Sequence, residues 1–381
     1  MFEERIALYD ISTPNHYIYL YTICKIFLNN KKKVTVFCSS ELRDKLITMD
    51  LDKGNIEFVV FKKGQNKLKY LKYMSQICNK YINTLWINTL ELTFIENIYF
   101  MIIKPKVYSV LTIHNVNSWL KKDLFSYIRG KENNITKIKN SLYFIQRRLI
   151  LNRFQAINVL EDNLKCYIEE KKIYDKKIFC LPFSIVEEKN TPIVYKEYKS
   201  IVIPGTITSK RRNYNDIIQI LSENNDLNIK LILLGRPVDK SGLEIINKCS
   251  LLKKRGIHIK VFDNFIAEED FIKELQGADF ILGDLNRSYN NMGCTEIYGE
   301  TKSTGVIFNM IRFSLPGILP NWYKIDKKME TSILQYKSIE DLSLIFNEIS
   351  KMNMMELKKI KDNAINNSAK FSLDRYCGFY L

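Results

Sequence analysis

Two short stretches place cations and hydroxyls just ahead of helix-like runs. In GETKSTGVIFNMIRFSLPGILP (299–320), Lys302, Ser303, Thr304 and Gly305 stand at the mouth of an apolar run that ends at Leu315-Pro316. The first amides of a helix lack intrahelical partners and the helix dipole favours anions there, so this patch can cradle phosphate oxygens. The same residues also suit a Ser/Thr cap beside a solvated lysine. In PGTITSKRRNY (204–214), Lys210, Arg211 and Arg212 precede a second helix, where three cations oppose the dipole. A bound diphosphate would reverse that penalty; a solvated basic turn is the alternative. Together the two loops suit one diphosphate held between them. Neither GxGxxG nor GxxxxGK(S/T) occurs, so simple dinucleotide-binding and P-loop readings lack their fingerprint.

The chain has three histidines. His16 follows Asn15 in the loop DISTPNH after the first apolar strand-like run, and His114 lies in VLTIHNVNSW with Asn115, Asn117 and Trp119 close behind. An imidazole and amides at the carboxyl end of a strand suit recognition of sugar hydroxyls, with Trp119 as a stacking face; a structural loop histidine is the alternative. His258 sits inside an apolar strand pattern and reads as structural.

These residues need elements to hold them. Strand patterns at 5–9 and 33–37 flank a helix at about 16–29, a unit that implies a parallel sheet, and further strands fit 56–61, 84–88, 107–113 and 156–159. The alternation restarts with strands at 200–203, 229–234, 257–262, 278–282 and 317–319, and helices at 214–223, 241–254 and 268–276. Two α/β domains are expected, at 1–185 and 186–365, facing each other across a cleft, with 366–381 returning to the first; 381 residues suit two cores better than one. Ligands in such sheets bind at the carboxyl ends of strands, where the loops above lie.

Charge narrows the partners. The formal net charge is +16, and residues 1–185 hold 30 Lys+Arg against 17 Asp+Glu. Residues 104–153 alone hold 11 basic and 2 acidic residues, interleaved with aromatic and aliphatic ones from 119 to 154. That segment suits an interfacial helix on an anionic membrane surface, or a solvated helix face packed on its own domain. No nucleic-acid motif accompanies the charge, so no nucleic acid is expected. The eight cysteines include no CxxC pair and read as buried thiols of a reducing compartment. The N-terminus lacks a secretory pattern and the longest apolar-rich segment, 84–103, carries Glu91 and Glu96, so a cytoplasmic protein, peripheral at most, is expected.

The chain resembles the two-domain GT-B glycosyltransferases, particularly the retaining nucleotide-sugar enzymes of family 4 and their bacterial polysaccharide relatives. The resemblance spans nearly the whole chain through short motifs. IVIPGTITSKRRNYNDII followed by LILLGRP is similar to the family's opening strand, glycine turn, basic loop and second strand; VFDNFIAEEDFIKELQGADFIL and TKSTGVIFNMIRFSLPGILP are similar to its donor-side segments. It implies a transferase that moves a sugar from a nucleotide-diphosphate donor to a glycan or lipid-linked saccharide, with retention. It implies Arg212, or Lys210 or Arg211, on the diphosphate beside Gly205, Thr206, Lys302, Ser303, Thr304 and Gly305. It also implies Asp263, Asn264 and Phe265 at the nucleobase, Glu300 and Asn309 at the donor sugar, catalytic His114 near the reacting carbon, and Asn15, His16, Asn115 and Trp119 on the acceptor. No DxD-type metal site is evident, so neither metal nor cofactor is expected. The family's two donor-site glutamates fall at Thr301 and Asn309, with Glu300 beside the first; its usual Arg after the first-turn glycine is Thr206, and STPNH replaces its glycine-rich first loop. These departures leave a second expectation open, a non-catalytic GT-B scaffold subunit that partners an active transferase.

Overall fold

The computed structural model describes residues 4–11, 16–52, 54–90, 94–121, 133–186, 196–291 and 293–379. The chain divides into two compact units: Met1–Ser184 with Asn290–Glu296 and Leu373–Leu381, and Ile185–Tyr289 with Ile297–Ser372.

The first unit is built on a seven-stranded parallel sheet of β1 (Arg5–Asp10), β2 (Lys33–Ser39), β3 (Ile56–Phe61), β4 (Thr84–Ile87), β5 (Tyr108–Thr112), β6 (Ala156–Val159) and β7 (Lys177–Cys180). Its order is β3-β2-β1-β4-β5-β6-β7. The strands carry nearly unbroken buried runs, such as Ile6–Asp10 in β1, because a parallel sheet in this fold is covered on both faces. The chain runs outward from β1 to β3, returns, and continues from β4 to β7, so strand order reverses between β1 and β4. Helices α1 (Tyr17–Asn29), α2 (Ser40–Ile47), α3 (Lys67–Tyr81), α4 (Phe94–Ile102), α5 (Val116–Leu120), α6 (Asn134–Arg153) and α7 (Asp162–Glu170) accompany it. Asn66 and Asn133 start α3 and α6 by accepting from the N–H groups of Lys69 and Thr136. The C-terminal segment contributes too: Asn30 donates to Tyr376 O at 2.8 Å and accepts from Gly378 N–H at 2.7 Å. The ring of Phe379 packs with Phe27 and Phe179.

The second unit repeats the plan with six parallel strands in the order β10-β9-β8-β11-β14-β15. They are β8 (Lys199–Pro204), β9 (Ile229–Leu234), β10 (Ile259–Lys260), β11 (Phe280–Leu282), β14 (Gly317–Pro320) and β15 (Ile333–Tyr336). Side chains alternate between faces, so Ile201 and Ile203 enter one core cluster and Val202 the other. Helices α8 (Tyr214–Glu223), α9 (Lys240–Lys254), α10 (Glu268–Gln276), α11 (Gly305–Phe313), α12 (Ile339–Lys351) and α13 (Met354–Ser368) complete it. Strand order reverses here between β8 and β11.

The structure corrects several details. A two-stranded ribbon, β12 (Ser288–Asn291) and β13 (Cys294–Ile297), which the strand–helix pattern did not predict, lies between the two segments read as donor-side, 261–282 and 301–320. Residues 290–296 belong to the first unit, so a single cut does not divide the chain. Cys166 and Cys377 are exposed rather than buried, although all eight cysteines are free thiols. Trp119 is a core residue, 8% exposed, with the Arg147 guanidinium 5.4 Å from its ring centroid. The apolar side of α5 turns it inward, so its face is not open for stacking on a sugar.

Candidate functional site

In the second unit the loops gather where strand order reverses, the position at which ligands bind in open α/β sheets. β8 ends at Pro204, and Gly205 follows at φ +105°, a conformation that suits glycine. Its loop lies against the β9 loop: Gly205 N–H donates to Leu234 O and Ile207 N–H to Arg236 O, both at 2.9 Å. A Cβ on Gly235 would sit 1.9 Å from Gly205 O, so only glycine permits this approach. Asn286, after β11, fixes the basic loop by donating to Ser209 O from its amide side chain and to Arg211 O from its backbone, both at 2.9 Å.

The three cations of that loop take different positions. Arg212 is buried; Nη2 donates to Pro204 O, while the buried Nη1 has no hydrogen-bond partner. Arg211 lies 5.0 Å from the centroid of Tyr289, and Lys302 lies 5.5 Å from the same centroid, so the two basic loops converge on one ring. Lys210 is exposed and pairs with Asp239 at 3.5 Å. Thr206, next to Gly205, is exposed.

Thr304 is buried and caps α11, accepting from Val306 N–H at 3.3 Å, and Gly305 opens the helix with clear space around its Cα. Ser303 Oγ is buried without a hydrogen-bond partner. Thr304 therefore takes the cap role that the sequence allowed, and Ser303 leaves a hydroxyl uncommitted. Glu300 pairs with Lys324 at 3.5 Å, Thr301 is fully buried with its hydroxyl accepting from Ile297 N–H, and Asn309 is half-buried on α11. Asp263, Asn264 and Phe265 form an exposed turn after β10, with Phe265 75% exposed.

A cluster that the sequence did not single out stands beside Arg212. Asp284, two residues beyond β11, is buried; its Oδ1 accepts from the Tyr336 hydroxyl at 2.7 Å and its Oδ2 has no partner. Burial pushes its carboxyl up to about 6, against the pull of Tyr336 and Arg212 and with Asp216 adding to the rise. The hydroxyl of Tyr214 is also buried without a partner. A donor on Arg212, an acceptor on Asp284 and two hydroxyls thus stand uncommitted, where buried polar groups are ordinarily satisfied. Within this unit Ser209, Arg212, Tyr214, Ser241, Lys248 and Asn286 help line a pocket of about 330 Å³. A signal existed in the sequence: an Asp just beyond an apolar strand, in FILGDLN.

In the first unit the reversal lies between β1 and β4; Asp10 ends β1 and Asn88 directly follows β4, both fully buried. Asn88 donates to Asp10 Oδ2 at 2.9 Å. His16 and His114, almost a hundred residues apart, stack with centroids 4.8 Å apart. Thr89 Oγ1 lies 2.8 Å from His16 Nδ1 and 3.4 Å from His114 Nε2, and Asn88 O lies 3.2 Å from the same Nε2. A carbonyl only accepts, so Nε2 of His114 carries a proton. The Tyr19 ring meets His114 edge to face at 6.0 Å and belongs to a buried network: Trp86 and Asn158 donate to Thr112 and Tyr19, and Tyr19 shares a 2.8 Å hydrogen bond with Thr112. Asn115 is the N-cap residue of α5. Glu296 is fully buried and accepts from Asn117 N–H at 3.1 Å and Ser118 N–H at 2.7 Å, anchoring the ribbon segment on that helix. Asn15 lies outside the described residues. No group of three or more His, Cys, Asp or Glu able to hold a metal occurs among the described residues.

No family model matches the chain, and no curated protein matches it in sequence. Solved structures do match in fold. HepE of Anabaena in complex with UDP and glucose aligns with a TM-score of 0.64 at 13% identity, over 98% of this chain and 97% of that one. A glycosyltransferase from Rickettsia africae aligns at 0.62 and 15%, over 99% and 96%. An α,α-trehalose-phosphate synthase (UDP-forming) from Burkholderia vietnamiensis aligns at 0.57 and 7%, over 98% of each chain. The shared architecture is GT-B, and this chain has that fold.

Proposed function

We propose that the chain is a glycosyltransferase that moves a sugar from a nucleotide-diphosphate donor to a glycan or lipid-linked acceptor, with retention and without a metal ion. The observation that carries this is the buried Arg212, whose unpartnered Nη1 stands at the strand-order reversal of the second unit with Arg211 and Lys302 on a neighbouring ring. A buried guanidinium nitrogen without an acceptor is costly unless an anion completes it. The GT-B neighbour HepE binds UDP and UDP-glucose, which supports a nucleotide sugar as that anion.

In this mechanism the bond between the sugar's anomeric carbon and the diphosphate oxygen breaks as the acceptor hydroxyl oxygen bonds to that carbon. The leaving nucleoside diphosphate gains negative charge. Arg212, Arg211, Lys302, Ser303 and the α11 amides stabilise it, an electrostatic role set in place before the reaction. His114, with His16 and Asn115, is assigned to the sugar and acceptor; Asp263, Asn264 and Phe265 border the nucleobase; Glu300 and Asn309 serve the donor sugar. The hydroxyl proton departs to the leaving phosphate.

Calorimetry against UDP-, GDP-, ADP- and CMP-sugars, with and without EDTA, tests this. One nucleotide class should bind, insensitive to EDTA. Arg212→Ala should weaken it by roughly 10- to 100-fold, as expected for a lost charge-assisted bond. Binding unaffected by Arg212→Ala and Lys302→Ala would remove the diphosphate assignment. Thr301, buried and tied to Ile297 where the family has an acidic residue, favours the second reading: a GT-B scaffold subunit that binds no donor productively. Silence across the panel, together with co-purification of an active transferase, would select it.

A further inference from the structure

Helix α6 is turned inside out. A surface helix ordinarily buries its apolar stripe and offers polar residues to water. Here the inward face includes Asn140 and Arg147, both buried beside Ile150 and Leu151. The outward face carries Ile135, Ile138, Leu142, Ile145 and Leu149, whose exposure falls steadily from 80% at Ile135 to 44% at Leu149. Between those two residues the only other exposed side chain is Lys139. Spacing of three and four residues puts all five on one line of the helix. Arg147 explains the inversion locally: it donates to Ser118 O at 2.8 Å and lies over Trp119, so the polar side of the helix is what the domain needs. The apolar side is left over, and a contiguous apolar patch on a protein surface marks an interaction site.

Charge selects the occupant. Residues 134–153 contain no Asp or Glu, while Lys137 and Lys139 stand within the stripe's N-terminal half, and the chain carries a net +16. Two copies packed stripe to stripe would bring these cations together with no carboxylate on either helix to answer them. A partner helix needs a seam of even depth; this stripe rises progressively toward its N-terminal end, the profile of a helix meeting a plane at a shallow angle. We infer that α6 docks the protein on an anionic lipid surface, its Ile135 end deepest and Lys137 and Lys139 at the headgroups. Among the described residues no helix is long and apolar enough to cross a membrane, so the contact is interfacial.

Flotation of the full-length chain with phosphatidylcholine vesicles, with and without phosphatidylglycerol, tests this. Binding is expected to the anionic vesicles only and to weaken at high salt. The exposed-site variant Ile135→Glu/Ile138→Glu/Leu142→Glu should keep the wild-type melting temperature and lose at least about tenfold in partitioning. Lys137→Glu/Lys139→Glu, with the stripe intact, should lose most of the salt-sensitive part. Vesicle binding unchanged in the triple variant overturns the inference. So does absence of vesicle binding, and if light scattering then shows a dimer that the triple variant dissolves, the stripe is an interface between copies. None of these variants touches the sugar-nucleotide site, so calorimetry on the same samples keeps a failure here separate from a failure of the transferase proposal.

Discussion

Two aspartates flank β11 and titrate in opposite directions. Asp279, just before the strand, is buried, which raises its carboxyl, but Lys361 at 2.6 Å, the Ser200 N–H and Lys196 outweigh burial and hold it below the usual range. Asp284, just after the strand, meets Tyr336 and a more distant Arg212, and burial wins. The signs follow. A lowered Asp279 contributes stability that is present above the unfolded value of about 4 and is lost as pH falls through the folded value. A raised Asp284 costs stability above about 6, and that cost is relieved as pH falls from about 6 toward 4. Asp279→Asn should therefore destabilise by about 3 kcal/mol at neutral pH, as for a broken buried pair. Asp284→Asn should stabilise by about 1–3 kcal/mol at pH 7.5 and flatten the wild-type rise in melting temperature below pH 6. Melting curves of both variants between pH 4 and 8 check this. A parallel pH response in the two would mean that their surroundings are misassigned. The geometry separates their roles: Asp279 ties the starts of the central strands β8 and β11 to Lys361 of α13, while Asp284 leaves an oxygen uncommitted beside the candidate diphosphate site.

At the scale of elements, the glycine contact between the β8 and β9 loops sets where Arg212 can stand. A side chain at Gly235 cannot be accommodated by a rotamer change, because the obstacle 1.9 Å away is the backbone oxygen of Gly205. Gly235→Ala should cost about 2–4 kcal/mol through enforced backbone shifts. It should weaken sugar-nucleotide binding although residue 235 carries no ligand group. Chemical denaturation and calorimetry on the variant measure both, and unchanged donor affinity would separate the loop contact from the site. The ribbon segment shows the same dependence in the first unit. Glu296 satisfies two α5 amides, so Glu296→Ala should leave them unsatisfied in a buried place, at about 1–3 kcal/mol. Hydrogen exchange at Asn117 and Ser118 should rise accordingly.

For the molecule as a whole, each unit carries its own core and its own reporters. Trp86 and Trp119 lie in the first unit and Trp322 in the second. A sugar nucleotide held by Arg212 should stabilise the second unit by about 2.7 kcal/mol at a hundredfold excess over its dissociation constant. In thermal unfolding followed by tryptophan emission, the phase that disappears in Trp322→Phe should be the one that the ligand moves upward. A shift confined to the Trp86 and Trp119 phase would place the donor in the first unit.

Sequence periodicity was enough to establish the two α/β units. Buried parallel strands such as IVIP and LILLG are apolar on both faces, and helices with amphipathic stripes separate them. Strand-to-helix loops could be located from the same pattern, which is why Arg211, Arg212, Lys302 and Ser303 were legible as candidates. Tertiary structure decided what pattern cannot express. The ribbon strands SYNN and CTEI are four residues each and largely polar, without apolar alternation, so they carry no strong local signal. Trp119 looked like a binding aromatic but faces the core, because rotation about the helix axis is set by what the helix packs on. Asp284 gains its raised titration only once the fold buries it, a burial that outweighs the hydrogen bond from Tyr336, some fifty residues later. His16 and His114 become a pair, and α6 an outward-facing apolar surface, only once sheet order and helix packing are fixed. Local sequence determines which elements form; long-range burial determines which side chains those elements leave uncommitted.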